Sequence, residues 1–304
     1  MRCSGWCGHA SSEGRSAGAI SGCKVEDEMT DTLYRYRSMA TPQAIEHTVD
    51  IIDNSRLYCP PPTSLNDPFE CQAAISFDAP TDIKNERAKQ RLMKEEPRLS
   101  ETDAERMAPQ KWQGLERNGT VGLRNWLLND FGVVSFSSCN DDLLMWSHYA
   151  GGHNGICIEF RCTHQEHLDF FGQVQQVRYS DQLPTVNFYT TPVLHTSVAL
   201  ILTKARHWSY EQEWRMVVPD AKRLSNYVDL PPGIISAVYL GCQISSENKT
   251  AIVDRIASKT SCKHIHVWQA NRHPHAFSLT FCHIFGPTTD KYREITNRNP
   301  SYVT

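Results

Sequence analysis

The stretch GVVSFSSCNDDLLMWSHYAGGHNGICIEF, residues 132–160, constrains the fold more than any other part of the chain. It opens with a short apolar run that ends in small hydroxyl residues, the pattern of a buried strand. DDLLMWSHYAGG reads as a short helix, with Asn140 or Asp141 at the N-cap and Gly151 or Gly152 ending it. GICIEF alternates, with Ile156, Ile158 and Phe160 inward and Cys157 and Glu159 on the other face. Strand, helix and strand in so short a span exclude an all-helical or an all-β chain.

The flanking segments repeat this mixture. LYRYRS reads as a first strand, and Thr41-Pro42 supplies the N-cap and N1 pair of a helix carrying Ala44, Ile45, Val49 and Ile52 at helical spacing. A short strand in RLYC, a rigid loop through three prolines and Asn66-Asp67-Pro68, and a strand in CQAAISFD follow. Residues 81–130 are charged and helical and predict an insertion or cap. Beyond residue 160, QVQQVRYS, EWRMVVP, IISAVYLG, HIHVWQA and AFSLTFC read as strands. A helix from Thr191-Pro192 to about Lys204, and another in SSENKTAIVDRIASK, separate them. No repeat and no second composition regime is present. The expected fold is α+β: a single domain over residues 31–285, built on a mixed, mostly antiparallel sheet with inserted helices and a helical cap. Residues 1–30 are expected to form a disordered tail or to reflect a start assigned upstream of Met29, and 286–304 a C-terminal tail.

The 304 residues carry 31 Lys+Arg against 34 Asp+Glu, so no bulk basicity points to nucleic acid. No apolar run approaches the ~18 residues of a membrane span. The 11 cysteines are scattered without a CxxC pair, which suits a reduced, cytoplasmic protein, and neither they nor the histidines show a zinc spacing, so no metal is expected.

Four places could carry chemistry besides the first strand. Glu211 and Glu213 alternate in WSYEQEWR; in a strand both carboxylates face one way, and Arg215 follows on that face as a neutralising partner. Ser135 and Ser137 share one face of SFSS, and Phe136 points to the opposite one. No GxSxG elbow surrounds them, which argues against a serine nucleophile. In SLNDPFE, Asn66 and Asp67 build a turn and Glu70 projects from it. In MWSHYAGG, Trp146 and Tyr149 share a helix face beside His148, either as core packing or as a platform for a planar ring. Each of these also has a plain structural reading.

LYRYRS, SLNDPFE, VVSFSSCNDDLLMWSHYAGGHNGICIEF, VRYS and KARHWSYEQEWR together resemble a bacterial family catalogued as domain of unknown function 2971, over about residues 33–245. The order of a first-strand arginine, a Ser-x-Ser strand and a Glu-x-Glu strand is also similar to that of ADP-ribosyltransferases. The latter resemblance implies NAD as substrate, cleavage of the nicotinamide–ribose bond, an acceptor macromolecule, and a bacterial toxin or phage-defence role. It implies that Arg35 or Arg37 binds phosphate and ribose; the two share one face of the strand, so one can reach a phosphate, Arg35 being favoured as the deeper, while the other pairs with an acid such as Glu70 or Glu211. Ser135 and Ser137 would shape the nicotinamide pocket, and Tyr149 or Trp146 would stack on nicotinamide. Glu213 would stabilise the oxocarbenium ion, and Glu211 would orient or deprotonate the acceptor. The usual Ser-Thr-Ser is replaced here by Ser-Phe-Ser-Ser, and Arg215 beside Glu213 leaves a purely structural pairing open. Two alternatives stand beside this reading: a non-enzymatic nucleotide or nucleic-acid binding module with Arg35, Arg37 and Arg215 in its cleft, and a metal-dependent hydrolase using Asp67, Glu70, His148 and Glu213.

Overall fold

A computed structural model describes residues 30–128, 131–219, 221, 225–287 and 302–303. The expected N-terminal tail, and most of the C-terminal one, lie outside these residues. In chain order the elements begin with β1 (Thr32–Arg37), α1 (Pro42–Asn54), β2 (Arg56–Tyr58) and β3 (Ala74–Ser76). The helical insertion follows as α2 (Thr81–Glu95) and α3 (Glu101–Leu128). Next come β4 (Phe131–Ser137), α4 (Leu143–Tyr149), β5 (Ile156–Arg161), α5 (Gln165–Phe171), β6 (Val174–Gln176), β7 (Arg178–Ser180) and β8 (Thr185–Asn187). The last part holds α6 (Val193–Ile201), β9 (Thr203–Ala205), β10 (Glu213–Pro219), β11 (Tyr227–Asp229), β12 (Ile235–Leu240), α7 (Ser246–Ser258), β13 (His266–Arg272), β14 (Leu279–Phe285) and β15 (Tyr302–Val303).

Nine strands form one sheet in the order β15-β14-β13-β12-β5-β1-β4-β10-β6. Only β12/β13 and β14/β15 run parallel within it. This is the mixed, mostly antiparallel α+β fold expected. One sheet face packs Leu33, Val134, Phe136, Ile156, Ile158, Phe160 and Met216 against Ile51 and Ile52 of α1 and Ile252 and Ile256 of α7. The other packs Tyr36, Cys157, Tyr239, Trp268 and Phe281 against Met145 and Trp146 of α4. Because helices cover both faces at its centre, β5 is buried from Ile156 through Phe160, and its alternation does not separate core from solvent. Glu159 is buried with Ser236, Tyr239 and Arg161 around its carboxylate.

Local signals explain several boundaries. Thr41 accepts from the Ala44 N–H and Pro42 occupies the first turn of α1. Asp142, not Asn140 or Asp141, caps α4 by accepting from Met145 N. QVQQVRYS divides in two: β6 pairs with β10, and β7 leaves that ladder for β9. The switch falls at Val177, whose N–H donates to Glu213 O, while the next N–H, of Arg178, donates to Leu202 O. The helix after Pro192 stops at Ile201, so Lys204 lies in β9.

Candidate functional site

The site forms where β1 and β4 separate. Their described ladder holds one pair, Tyr34 with Ser137. By alternation Arg35 and Arg37 follow Leu33 on the face of the larger core, whereas Ser137 pairs with Glu213, and Ser135 with Arg215, on the other. A continuous ladder would keep these two sets apart. Past Tyr34 the ladder stops, and Arg35 Nη1 donates to the backbone oxygen of Ser135 at 2.6 Å. A cavity of about 180 Å³ opens there, and Arg35, Arg37, Ser135, Ser137, Glu211 and Glu213 all line it.

Opposite the arginines lies a buried ionic cluster. Lys204 Nζ stands 3.0 Å from Glu70 Oε1, 2.5 Å from Glu211 Oε2 and 3.1 Å from Glu213 Oε2. Arg215 meets Glu213 through Nε at 2.7 Å and Nη2 at 2.8 Å, Glu70 through Nη2 at 2.5 Å, and Ile201 O through Nη1. Removing a charge from water is costly unless paired and hydrogen-bonded, and these contacts satisfy that requirement. Burial works to raise Glu213, but Arg215 and Lys204 outweigh it and hold its carboxyl down to about 2. Burial dominates at Glu211 and pushes it up to about 7, with Lys204 offsetting part of the shift. Tyr149 OH donates to Glu211 Oε1 at 2.6 Å and accepts from Asn66 Nδ2 at 3.2 Å. Ser137 Oγ donates to Glu211 O at 2.6 Å, fixing the backbone behind that acid.

Arg35 and Arg37 have no such partners. The Nε atoms of both are buried without a hydrogen bond among the described residues. Burial, and then the neighbouring Arg37, push Arg35 down to about 9. Two desolvated guanidinium groups on one cavity make its potential positive on that side.

Several expectations need correction. Neither arginine pairs with Glu70 or Glu211, because Lys204 and Arg215 already take those carboxylates. Glu211 is not in a strand: it ends a 3-10 turn, Arg206–Glu211, and Gln212 then turns through φ 45° before β10 begins at Glu213. The two acids converge through Lys204, not through strand alternation. Trp146 does not line the cavity; it is fully buried, donates from Nε1 to Asn140 O and packs edge-on against Tyr36. His148 lies outside it, with Nδ1 3.0 Å from Tyr210 OH. Asp67 accepts from Phe69 N within its turn, whereas Asn66, Glu70 and Tyr149 do reach the cavity. The four proposed metal ligands therefore do not converge: Glu70 and Glu213 close on an ammonium and a guanidinium, and His148 and Asp67 turn elsewhere.

Lys204 is the charged cavity-lining residue that sequence reasoning missed. Its signal is a cation directly after the apolar run VALILT, at the start of KARHW. Tyr179, whose OH accepts from Glu213 N at 2.8 Å, carried no comparable signal.

An α+β fold whose mixed sheet parts between β1 and β4 around a cationic cleft and a carboxylate–lysine–arginine cluster defines the class. Residues 145–216, from α4 through most of the Glu-Trp-Arg strand, match the family described as "Protein of unknown function (DUF2971)", in agreement with the resemblance its motifs carry. Comparison with curated proteins and with solved structures gave no match.

Proposed function

We propose that the cleft binds a nucleotide containing a pyrophosphate, NAD in class, and that the protein breaks its nicotinamide–ribose bond. The supporting observation is the convergence of Arg35, Arg37, Ser137, Glu211 and Glu213 on one cavity. Arg35 and Arg37 hold the phosphates. Glu213, kept ionised by Arg215 and Lys204, supplies a fixed negative charge toward the ribosyl cation. The C1′–N bond breaks and its electron pair leaves with neutral nicotinamide. An acceptor oxygen, of water or of a macromolecule, then bonds to C1′ and its proton passes to Glu211. A group titrating near neutral pH suits that transfer, and Tyr149 orients it.

The test is release of nicotinamide from NAD, followed chromatographically, with water alone and with a mixture of protein acceptors. Wild type is expected to release it, and Glu211→Gln to lose most of the rate while keeping its fold by circular dichroism. Absence of release from wild type in every mixture rules the chemistry out. A second reading, ligand binding without turnover, is favoured by one observation: both oxygens of Glu213 are already engaged by Arg215 and Lys204. Tight NAD binding with no release would select it.

A further inference from the structure

We infer that Trp208, Tyr210 and His148 form a stacking platform for the base of the nucleotide whose phosphates sit on Arg35 and Arg37. The inference rests on the anion-binding part of the proposed function and not on the cleavage step.

Size is the first argument. A cavity of about 180 Å³ holds a diphosphate or a sugar phosphate, whereas whole-ligand sites occupy roughly 300–1,000 Å³. The rest of a nucleotide bound there must lie at the mouth. A chain of rings starts at the cavity wall. Tyr149 lines it, and the His148 ring lies 6.2 Å from Tyr149, 6.1 Å from Tyr210 and 6.4 Å from Trp208. Trp208 and Tyr210 stand 6.1 Å apart, tilted by 39°.

These rings are held but not covered. His148 Nδ1 and Tyr210 OH are 3.0 Å apart, and Lys204 Nζ lies 5.0 Å from the Trp208 ring centre, which fixes one side of the indole against the ionic cluster. Trp208 and Tyr210 are half-buried and His148 is exposed. Trp146 and Trp268, by contrast, fill the core. The turn Arg206–Glu211 carries Trp208, Tyr210 and Glu211 together, so the platform and the acid share one rigid element. Aromatic faces beside a cationic groove are the general means of holding a base next to its phosphate, and a purine offers the larger face.

The experiment is calorimetric titration of the full chain with ADP and, separately, with inorganic pyrophosphate, for wild type, Trp208→Leu and Trp208→Phe. Trp208→Leu is expected to weaken ADP about tenfold, equivalent to ~1.4 kcal/mol, and to leave pyrophosphate unchanged; Trp208→Phe should recover most of the loss. Equal ADP affinity in wild type and Trp208→Leu overturns the platform. So does an equal loss for ADP and pyrophosphate, which would mean that Trp208 acts only through Lys204. Failure of pyrophosphate to bind wild type is a different result: it removes the anion site itself, and the platform with it.

Discussion

Arg215 and Arg37 show how differently two arginines of one cleft are used. Arg215 is fully buried and satisfies Glu213, Glu70 and the Ile201 carbonyl. Replacing it with methionine leaves two carboxylates short of a partner in a dry site, and unfolding stability in urea should fall by about 3–5 kcal/mol. Among the described residues Arg37 makes no ion pair, and its guanidinium is desolvated, so Arg37→Gln should leave stability in urea at or above that of wild type while weakening anion binding. The two glutamates set opposite pH limbs. An unfolded glutamate titrates near ~4.3. Glu211, pushed up to about 7 chiefly by burial, makes the folded chain hold an extra proton between those values, so stability declines as pH rises through that window. Glu213 is held down to about 2 because Arg215 and Lys204 outweigh its burial; its contribution is present above ~4.3 and is lost as pH falls toward 2. Urea midpoints measured from pH 2 to 8 should show both limbs, and Glu211→Gln should flatten the upper one alone.

At the scale of elements, close approach matters more than propensity. A Cβ on Gly155 would lie 2.1 Å from the backbone oxygen of Arg37, so the start of β5 can seat the end of β1 only with glycine there. Gly155→Ala should cost about 1–3 kcal/mol by forcing the strands apart, and it should weaken anion binding because Arg37 moves with them. A change at Thr41 is local by comparison: Thr41→Ala should cost about 1 kcal/mol through the cap of α1, with the anion site unaffected. The Thr41-Pro42 cap and apolar periodicity make α1 legible, and the charge placement in SSENKTAIVDRIASK makes α7 so; α4 is legible as a short helix although its cap is Asp142. The division of QVQQVRYS into β6 and β7 was not legible, since it depends on which distant carbonyl each N–H meets. The turn that carries Glu211 was read as strand for the same reason: WSYEQEWR has the spacing of either, and the left-handed Gln212 decides it.

The whole molecule brings Arg35 within reach of Ser135, a hundred residues along the chain, and Glu70 against Arg215 across a still longer separation. A ligand that joins these walls binds only the folded state. At a hundred times its dissociation constant, pyrophosphate should add about 2.7 kcal/mol, or roughly 5–10 °C in Tm for a domain of this size. The shift should vanish in the Arg35→Gln/Arg37→Gln double variant and should shrink with added salt. None of the described helices is long and apolar enough to cross a membrane.

By itself the sequence determined the class of the fold, because hydrophobic period and capping are local properties of neighbouring residues. It also singled out Arg35, Ser137, Glu211, Glu213 and Arg215, since paired charges and hydroxyls in apolar surroundings need partners wherever they fall. Only the tertiary structure decided who those partners are. Lys204 and Arg215 take the carboxylates, the arginines of β1 are left facing a cavity, and Trp146 enters the core while Trp208 stays half-buried under the Lys204 ammonium. Those choices turn on distances of a few ångströms between segments far apart in the chain, set where β1 and β4 part after a single pair.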